Sequence, residues 1–222
     1  MSEIKYVCFD IGGVANVRKP REEVISRGHQ YFGKDFSEEK LKQMMFPRFS
    51  NTDIWREFQN GKISAQRYLE FALYAGDFLI NQNNKDNFRQ MLQDWCGESY
   101  QPIVDLAGKL KQNGYHTSVL SNNNEIMYNT PSAEAIKRRV DVAISSHEIL
   151  VSKPHWEAYC VLLGKIKADV PGEVLFIDDR VENIEAANRY GLQGFYFRSK
   201  EAGMDQAFEE LMGYLKGKGV RV

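Results

Sequence analysis

The chain has 222 residues, 43% hydrophobic and 27% charged, with a formal net charge of −1, which suits a globular core with room for a large insertion. Near-neutral charge with scattered Lys and Arg excludes the electrostatic footprint of a nucleic-acid or anionic-membrane binder, and no apolar run is long enough to span a bilayer. Three cysteines far apart, Cys8, Cys96 and Cys160, argue against a disulfide framework or a thiolate metal cluster.

The first predicted element is the apolar run Tyr6-Val7-Cys8-Phe9, which delivers Asp10 to its end before the Gly12-Gly13 bend. Runs of this kind suit a parallel strand buried on both faces, and such sheets carry their chemistry at the strands' carboxyl ends. An acid there is a nucleophile, a metal ligand or both; a solvated Asp opening a turn is the plain alternative. Cys8 reads as a small core residue. The stretch Met1-Ser2-Glu3-Ile4-Lys5 shows no basic, apolar and small-residue leader, so a reducing, cytoplasmic setting is expected.

From about Pro20 to Trp95 the apolar residues fall at helical spacing, and no strand is expected. A first helix carries Val24, Ile25, Tyr31 and Phe32 and stops at Gly33. Ser37 caps a second, Pro47 closes it, and Ile54, Trp55 and Phe58 lead to the stop Asn60-Gly61. Ser64 caps a helix through Leu73 to Gly76, and Phe88, Met91, Leu92 and Trp95 mark another before Gly97. Such a block reads as a helical bundle inserted after the first strand. Trp55, Phe58 and Tyr68 are assigned to its core, with substrate stacking as the alternative.

From Pro102 the chain alternates. A helix to Gly114 precedes the strand His116–Leu120, which ends on Ser121-Asn122-Asn123-Asn124. A strand over 140–144 and a helix over 156–166 follow. The strand Val174–Ile177 ends on Asp178-Asp179, and a helix to Gly191 leads to a last short strand over 194–197. Alternation of this kind implies a doubly wound parallel sheet with helices on both faces. No internal repeat is evident, and Gly217-Lys218-Gly219 reads as a frayed tail.

Asp10, Ser121, Lys153 (before Pro154) and the Asp178-Asp179 pair all belong to one edge of that sheet. Singly each reads as an ordinary turn, surface break or helix start. Jointly they bring a hydroxyl, a cation and three carboxylates to one place. Three converging carboxylates repel and call for a hard divalent cation, and carboxylates with open water positions suit magnesium. Beside it Asp10 can attack phosphorus, Ser121 can bind the phosphoryl oxygens and Lys153 can neutralise developing charge.

Phe9-Asp10-Ile11-Gly12-Gly13-Val14, Val119-Leu120-Ser121-Asn122, Lys153-Pro154 and Phe176-Ile177-Asp178-Asp179-Arg180 resemble, in order, the four motifs of the haloacid dehalogenase (HAD) superfamily. Gly61-Lys62-Ile63-Ser64 is similar to a phrase common in its helical caps. The resemblance implies a Rossmann-like α/β core over 1–17 and 98–222, a helical cap over 18–97, and a magnesium-dependent phosphatase acting on small phosphorylated metabolites. It implies Asp10 as nucleophile and metal ligand, Asp179 as direct ligand, Asp178 as ligand alongside or through water, and a ligating carbonyl at Gly12. Ser121, Asn122 through its backbone, and Lys153 would hold the phosphoryl group.

One position departs from the pattern. Most phosphatases of the superfamily carry a second Asp two residues after the nucleophile, as general acid and base; here it is Gly12. That help is worth about 10²–10⁴-fold, so ordinary alkyl leaving groups should depart slowly unless another group, such as a cap residue, substitutes. Three readings stand. A phosphatase of the Asp-x-Gly-[Gly/Asn]-Val type, resembling glucose-1-phosphatases, would act on a more acidic leaving oxygen. A halide hydrolase also lacks the second Asp, although it has no use for the Asp178-Asp179 pair. A non-catalytic member would bind phosphate or a partner protein.

The four histidines show no metal-ligand spacing, and His155 alone lies near a site motif. Arg18 reads as a solvated linker residue with an anionic substrate as the alternative. Asn123 and Asn124 are candidates for the site's mouth or for a turn, and Asn183 is spaced to face the Asp pair.

Overall fold

A computed structural model describes residues 2–222. Its centre is a parallel sheet of five strands: β1 (Tyr6–Phe9), β2 (His116–Ser121), β3 (Val142–Ser145), β4 (Val174–Asp178) and β5 (Gln193–Tyr196). The order is β3-β2-β1-β4-β5, so the chain reverses its winding beside β1, where an open α/β sheet forms its ligand crevice.

Side chains alternate across the strands, and both faces are apolar. Val7, Phe9, Val119, Leu175 and Ile177 pack with the helices Gln101–Gln112, Pro131–Lys137 and Met204–Gly217. Cys8, Leu120, Val174 and Phe176 face the helices Trp156–Ile166 and Val181–Arg189. This is the Rossmann-like α/β arrangement, and it explains the unbroken apolar runs: each strand is covered twice.

The five helices Arg21–Phe32, Glu38–Met45, Ile54–Gln59, Ala65–Ala75 and Gln82–Trp95 gather around a separate apolar cluster. The expected caps form: Ser37 Oγ accepts from the Lys40 N–H at 3.2 Å and Ser64 Oγ from the Arg67 N–H at 3.3 Å. Phe58 stacks on Tyr68 at 4.3 Å between ring centroids, deep in this cluster. The two passages between the layers, Asn16–Val17 and Glu98–Ser99, pair antiparallel. The block also docks on the core at Gly61, whose φ of 65° suits glycine and where a Cβ would strike the His147 carbonyl.

Two expectations are corrected and one element is added. The helical block does hold a hairpin, Arg48–Phe49 against Thr52–Asp53, too short to leave an alternating pattern. The C-terminal helix Met204–Gly217, not expected from the sequence, covers one sheet face with Ala207, Leu211 and Leu215. The tail beyond it is anchored rather than frayed: Val220 is buried, and the Arg221 N–H donates to the Tyr115 hydroxyl at 2.9 Å. No helix of the described residues is long and apolar enough to cross a membrane.

Candidate active site

Strand register explains why distant residues meet. Phe9 pairs with Val119 on one side and Ile177 on the other, so the next residues along, Leu120, Asp10 and Asp178, form one row across the sheet's carboxyl edge. Lys153 enters that row from the loop before the Trp156–Ile166 helix. Its Nζ donates to Asp10 Oδ1 at 2.9 Å, to Asp178 Oδ2 at 2.6 Å and to the Leu120 carbonyl at 2.6 Å. All three charged side chains are nearly inaccessible, at 1%, 9% and 0% for Lys153, Asp10 and Asp178. In such a medium each charge depends on its partners.

Burial works against the Lys153 ammonium, yet the Asp10 and Asp178 carboxylates outweigh it and hold its pKa above the ordinary lysine value. Burial, opposed by Lys153 and reinforced by the Asp10 charge, pushes the Asp178 carboxyl up to about 6. Asp178 is further held by the Arg180 N–H at 2.9 Å and by Asn183 Nδ2 at 3.0 and 3.1 Å to its two oxygens. The expected orientation of Asn183 is therefore present.

Asp10 and Asp179 keep free valence. Among the described residues no hydrogen bond engages Asp10 Oδ2, and Asp179 Oδ1 is buried without a partner. Asp179 Oδ2 meets the exposed Lys200 ammonium at 2.8 Å. One oxygen from each of Asp10, Asp178 and Asp179 lies within 4.8 Å of the others. A buried carboxylate oxygen without a donor, beside two further carboxylates, is what a divalent cation would complete; the donor set fits magnesium. Gly13, at φ 78°, makes the approach possible, because a Cβ there would collide with the Asp179 carboxylate.

A cavity of about 370 Å³ opens over this edge. Asp10, Gly12, Ser121, Asn122, Lys153 and Asp179 border it from the core, and Phe46, Trp55, Gln59 and Trp95 from the helical block. Asp178 lies beneath, as the support of Lys153. Trp55, assigned to the bundle core, is only half-buried; it packs edge-on against Phe58 and Tyr68 and also reaches the cavity. Asn123 borders the cavity, whereas Asn124 makes the turn, its Oδ1 accepting from the Ile126 and Met127 N–H groups. His155 does not border it.

Two features escaped the sequence. Asn122 clamps the lysine loop: its Nδ2 donates to the Lys153 carbonyl at 2.7 Å and its Oδ1 accepts from the Lys153 N–H at 2.8 Å. The partners are 31 positions apart, and no periodicity links them. Arg18 is exposed, as expected of a linker residue, but it also has a defined place. Its guanidinium lies over the Trp95 ring, 5.7 Å from the centroid, and occupies the space that a Cβ on Gly12 would enter.

A family model described as haloacid dehalogenase-like hydrolase matches residues 4–191. A curated relative, (S)-2-haloacid dehalogenase 1 from Pseudomonas sp. (strain CBS-3), is 28% identical over 124 residues, which cover 55% of this chain and 53% of that protein. The match thus spans about half of the relative's length. Among solved structures, a HAD family enzyme from Bacteroides thetaiotaomicron, in complex with magnesium and inorganic phosphate, is similar with a TM-score of 0.70. It is 21% identical, with 87% of this chain and 93% of that one covered. An L-2-haloacid dehalogenase from Xanthobacter autotrophicus, with chloropropionic acid covalently bound, has a TM-score of 0.59 at 16% identity, covering 99% and 85%. At these identities the structural likenesses establish the fold.

Proposed function

The chain belongs to the haloacid dehalogenase-like hydrolases, and from that premise we propose that it is a magnesium-dependent phosphatase of small phosphorylated metabolites. The observation that carries this reading is the buried, unpartnered Asp179 Oδ1 beside Asp10 and Asp178. Asp10, Asp179 and the Gly12 carbonyl would hold the cation, with Asp178 alongside. When bound, magnesium supplies charge neutralisation among the carboxylates and polarises a phosphoryl oxygen.

The chain's own groups divide the remaining work. Lys153 orients the Asp10 carboxylate through Oδ1 while one Asp10 oxygen attacks phosphorus; the phosphorus–oxygen bond to the leaving group breaks, the leaving oxygen takes a proton from water, and an aspartyl-phosphate forms on Asp10. Water then cleaves that acyl phosphate, returning the Asp10 carboxylate and inorganic phosphate. Ser121 and the Asn122 backbone bind non-bridging oxygens, and the Lys153 ammonium offsets charge there. The region 18–97 acts as the cap that closes over the substrate and excludes water.

The test is phosphate release from sugar phosphates and p-nitrophenyl phosphate with magnesium, abolished by chelation and in Asp10→Asn. Dechlorination of 2-chloropropionate without metal would overturn the reading in favour of the halide hydrolase. Binding of magnesium and phosphate with no turnover of any ester would favour a non-catalytic role.

A further inference from the structure

We propose that Arg18 is a substrate-binding residue that selects phosphomonoesters whose leaving group carries a second anionic group, a carboxylate or another phosphate. The proposal rests on the phosphatase reading and specifies its substrate class.

Arg18 directly follows the Asn16–Val17 passage out of the core, and Trp95 ends the last helix before the chain returns. The two passages are paired, so the guanidinium and the indole meet at the boundary between the layers, over the cavity. The guanidinium fills the place of a residue-12 side chain, two positions past the nucleophile. In the family pattern a residue-12 acid serves the leaving group, so on the phosphatase reading the Arg18 guanidinium stands where that group departs.

Four cationic side chains border the cavity, and three are engaged: Lys153 with Asp10 and Asp178, Lys200 with Asp179, and Arg180 with Glu182. Arg18 forms no ion pair or hydrogen bond among the described residues, and its stacking on Trp95 leaves the N–H edges of the guanidinium available. Only two carboxylates, Asp10 and Asp179, border the same space. A bound cation and a phosphoryl group would occupy these, which leaves the Arg18 charge uncompensated until an anion arrives.

No carboxylate or histidine of the helical block borders the cavity, so no such group stands in for the acid missing at Gly12. Burial pushes the nearby Cys96 thiol up to about 11. Arginine does not give up its proton at ordinary pH, so its contribution is binding and orientation, not proton transfer. A planar fork of donors recognises a carboxylate or phosphate in two-point fashion.

Matched ester pairs test this: 3-phosphoglycerate against glycerol 3-phosphate for a carboxylate, and fructose 1,6-bisphosphate against fructose 6-phosphate for a phosphate. In the wild-type protein with magnesium, at least one anionic member should have a kcat/KM about 10- to 100-fold above its partner, mostly through KM. Arg18→Gln should collapse that ratio towards one, and Arg18→Lys should restore part of it. Preference in one pair alone names the source of the anion. Equal rates within both pairs, or a ratio that survives Arg18→Gln, would overturn the proposal. If no ester is hydrolysed, the phosphatase reading fails separately, and calorimetric binding of the same pairs to wild-type and Arg18→Gln protein decides the role of Arg18. Equal affinities within each pair would then reject it.

Discussion

On the core wall of the cavity every charged side chain is held by another part of the core, whereas the opposite wall is largely aromatic and meets a single charge, Arg18, that has no ion pair among the described residues. The Lys153, Asp10 and Asp178 cluster is buried and tied to strands whose register leaves little freedom. Phe46, at 48% exposure, and half-buried Trp55 stand over it on helix ends and loops. On the proposed function, the contrast separates buried, mutually held charges, suited to performing a reaction, from accessible groups, suited to recognising a substrate.

Breaking the core wall should cost the most. Lys153→Ala strands two buried carboxylates, and losing one partner of such a cluster costs about 3–5 kcal/mol; denaturant unfolding would measure this, together with loss of phosphatase activity. Asp179→Asn should fold but lose the cation. In the wild type, magnesium at about 100 times its Kd should stabilise the fold by roughly 2.7 kcal/mol, seen as a rise in Tm that the variant lacks. An equal rise in the variant would place the ion elsewhere.

The boundary between the walls gives a more moderate effect. Gly12→Asp introduces the absent acid, but its Cβ enters the space of the Arg18 guanidinium, and the new carboxylate would be drawn into an ion pair. Alone it should gain little. Combined with Arg18→Ala, it should raise turnover of poor alkyl leaving groups by about 10-fold or more, at the lower end of general acid catalysis; steady-state kinetics of both variants would show the difference. The smallest change belongs to the aromatic wall. Phe46→Ala should alter stability by less than about 1 kcal/mol while shifting KM a few-fold, since Phe46 borders the cavity and packs edge-on against Trp55.

The motif residues were legible because a buried strand announces itself as an apolar run, and the polar residue ending it is conspicuous. Asp10, Ser121 and Asp178 stand out for that reason. Lys153 was legible only in company, since a Lys-Pro pair alone reads as a surface break. Helix positions followed from caps such as Ser37 and Ser64, which are local signals. The apolar residues of Met204–Gly217 lie at helical spacing without a strong cap to mark them, and periodicity does not separate a core aromatic from one such as Trp55 that packs on the core and also reaches a cavity rim.

The sequence by itself determined the alternating α/β core, the helical block after β1, the residues delivered to the sheet edge and the absence of an acid at Gly12. These follow from local periodicity and strand ends, which need no knowledge of distant neighbours. Only the tertiary structure decided that Asn122 clamps the Lys153 loop, that Asp179 keeps an unpartnered oxygen, and that Arg18 fills the space beside Gly12. Each of these depends on where two remote segments come to rest, and hydrogen-bond partnership and excluded volume are properties of that arrangement rather than of either segment.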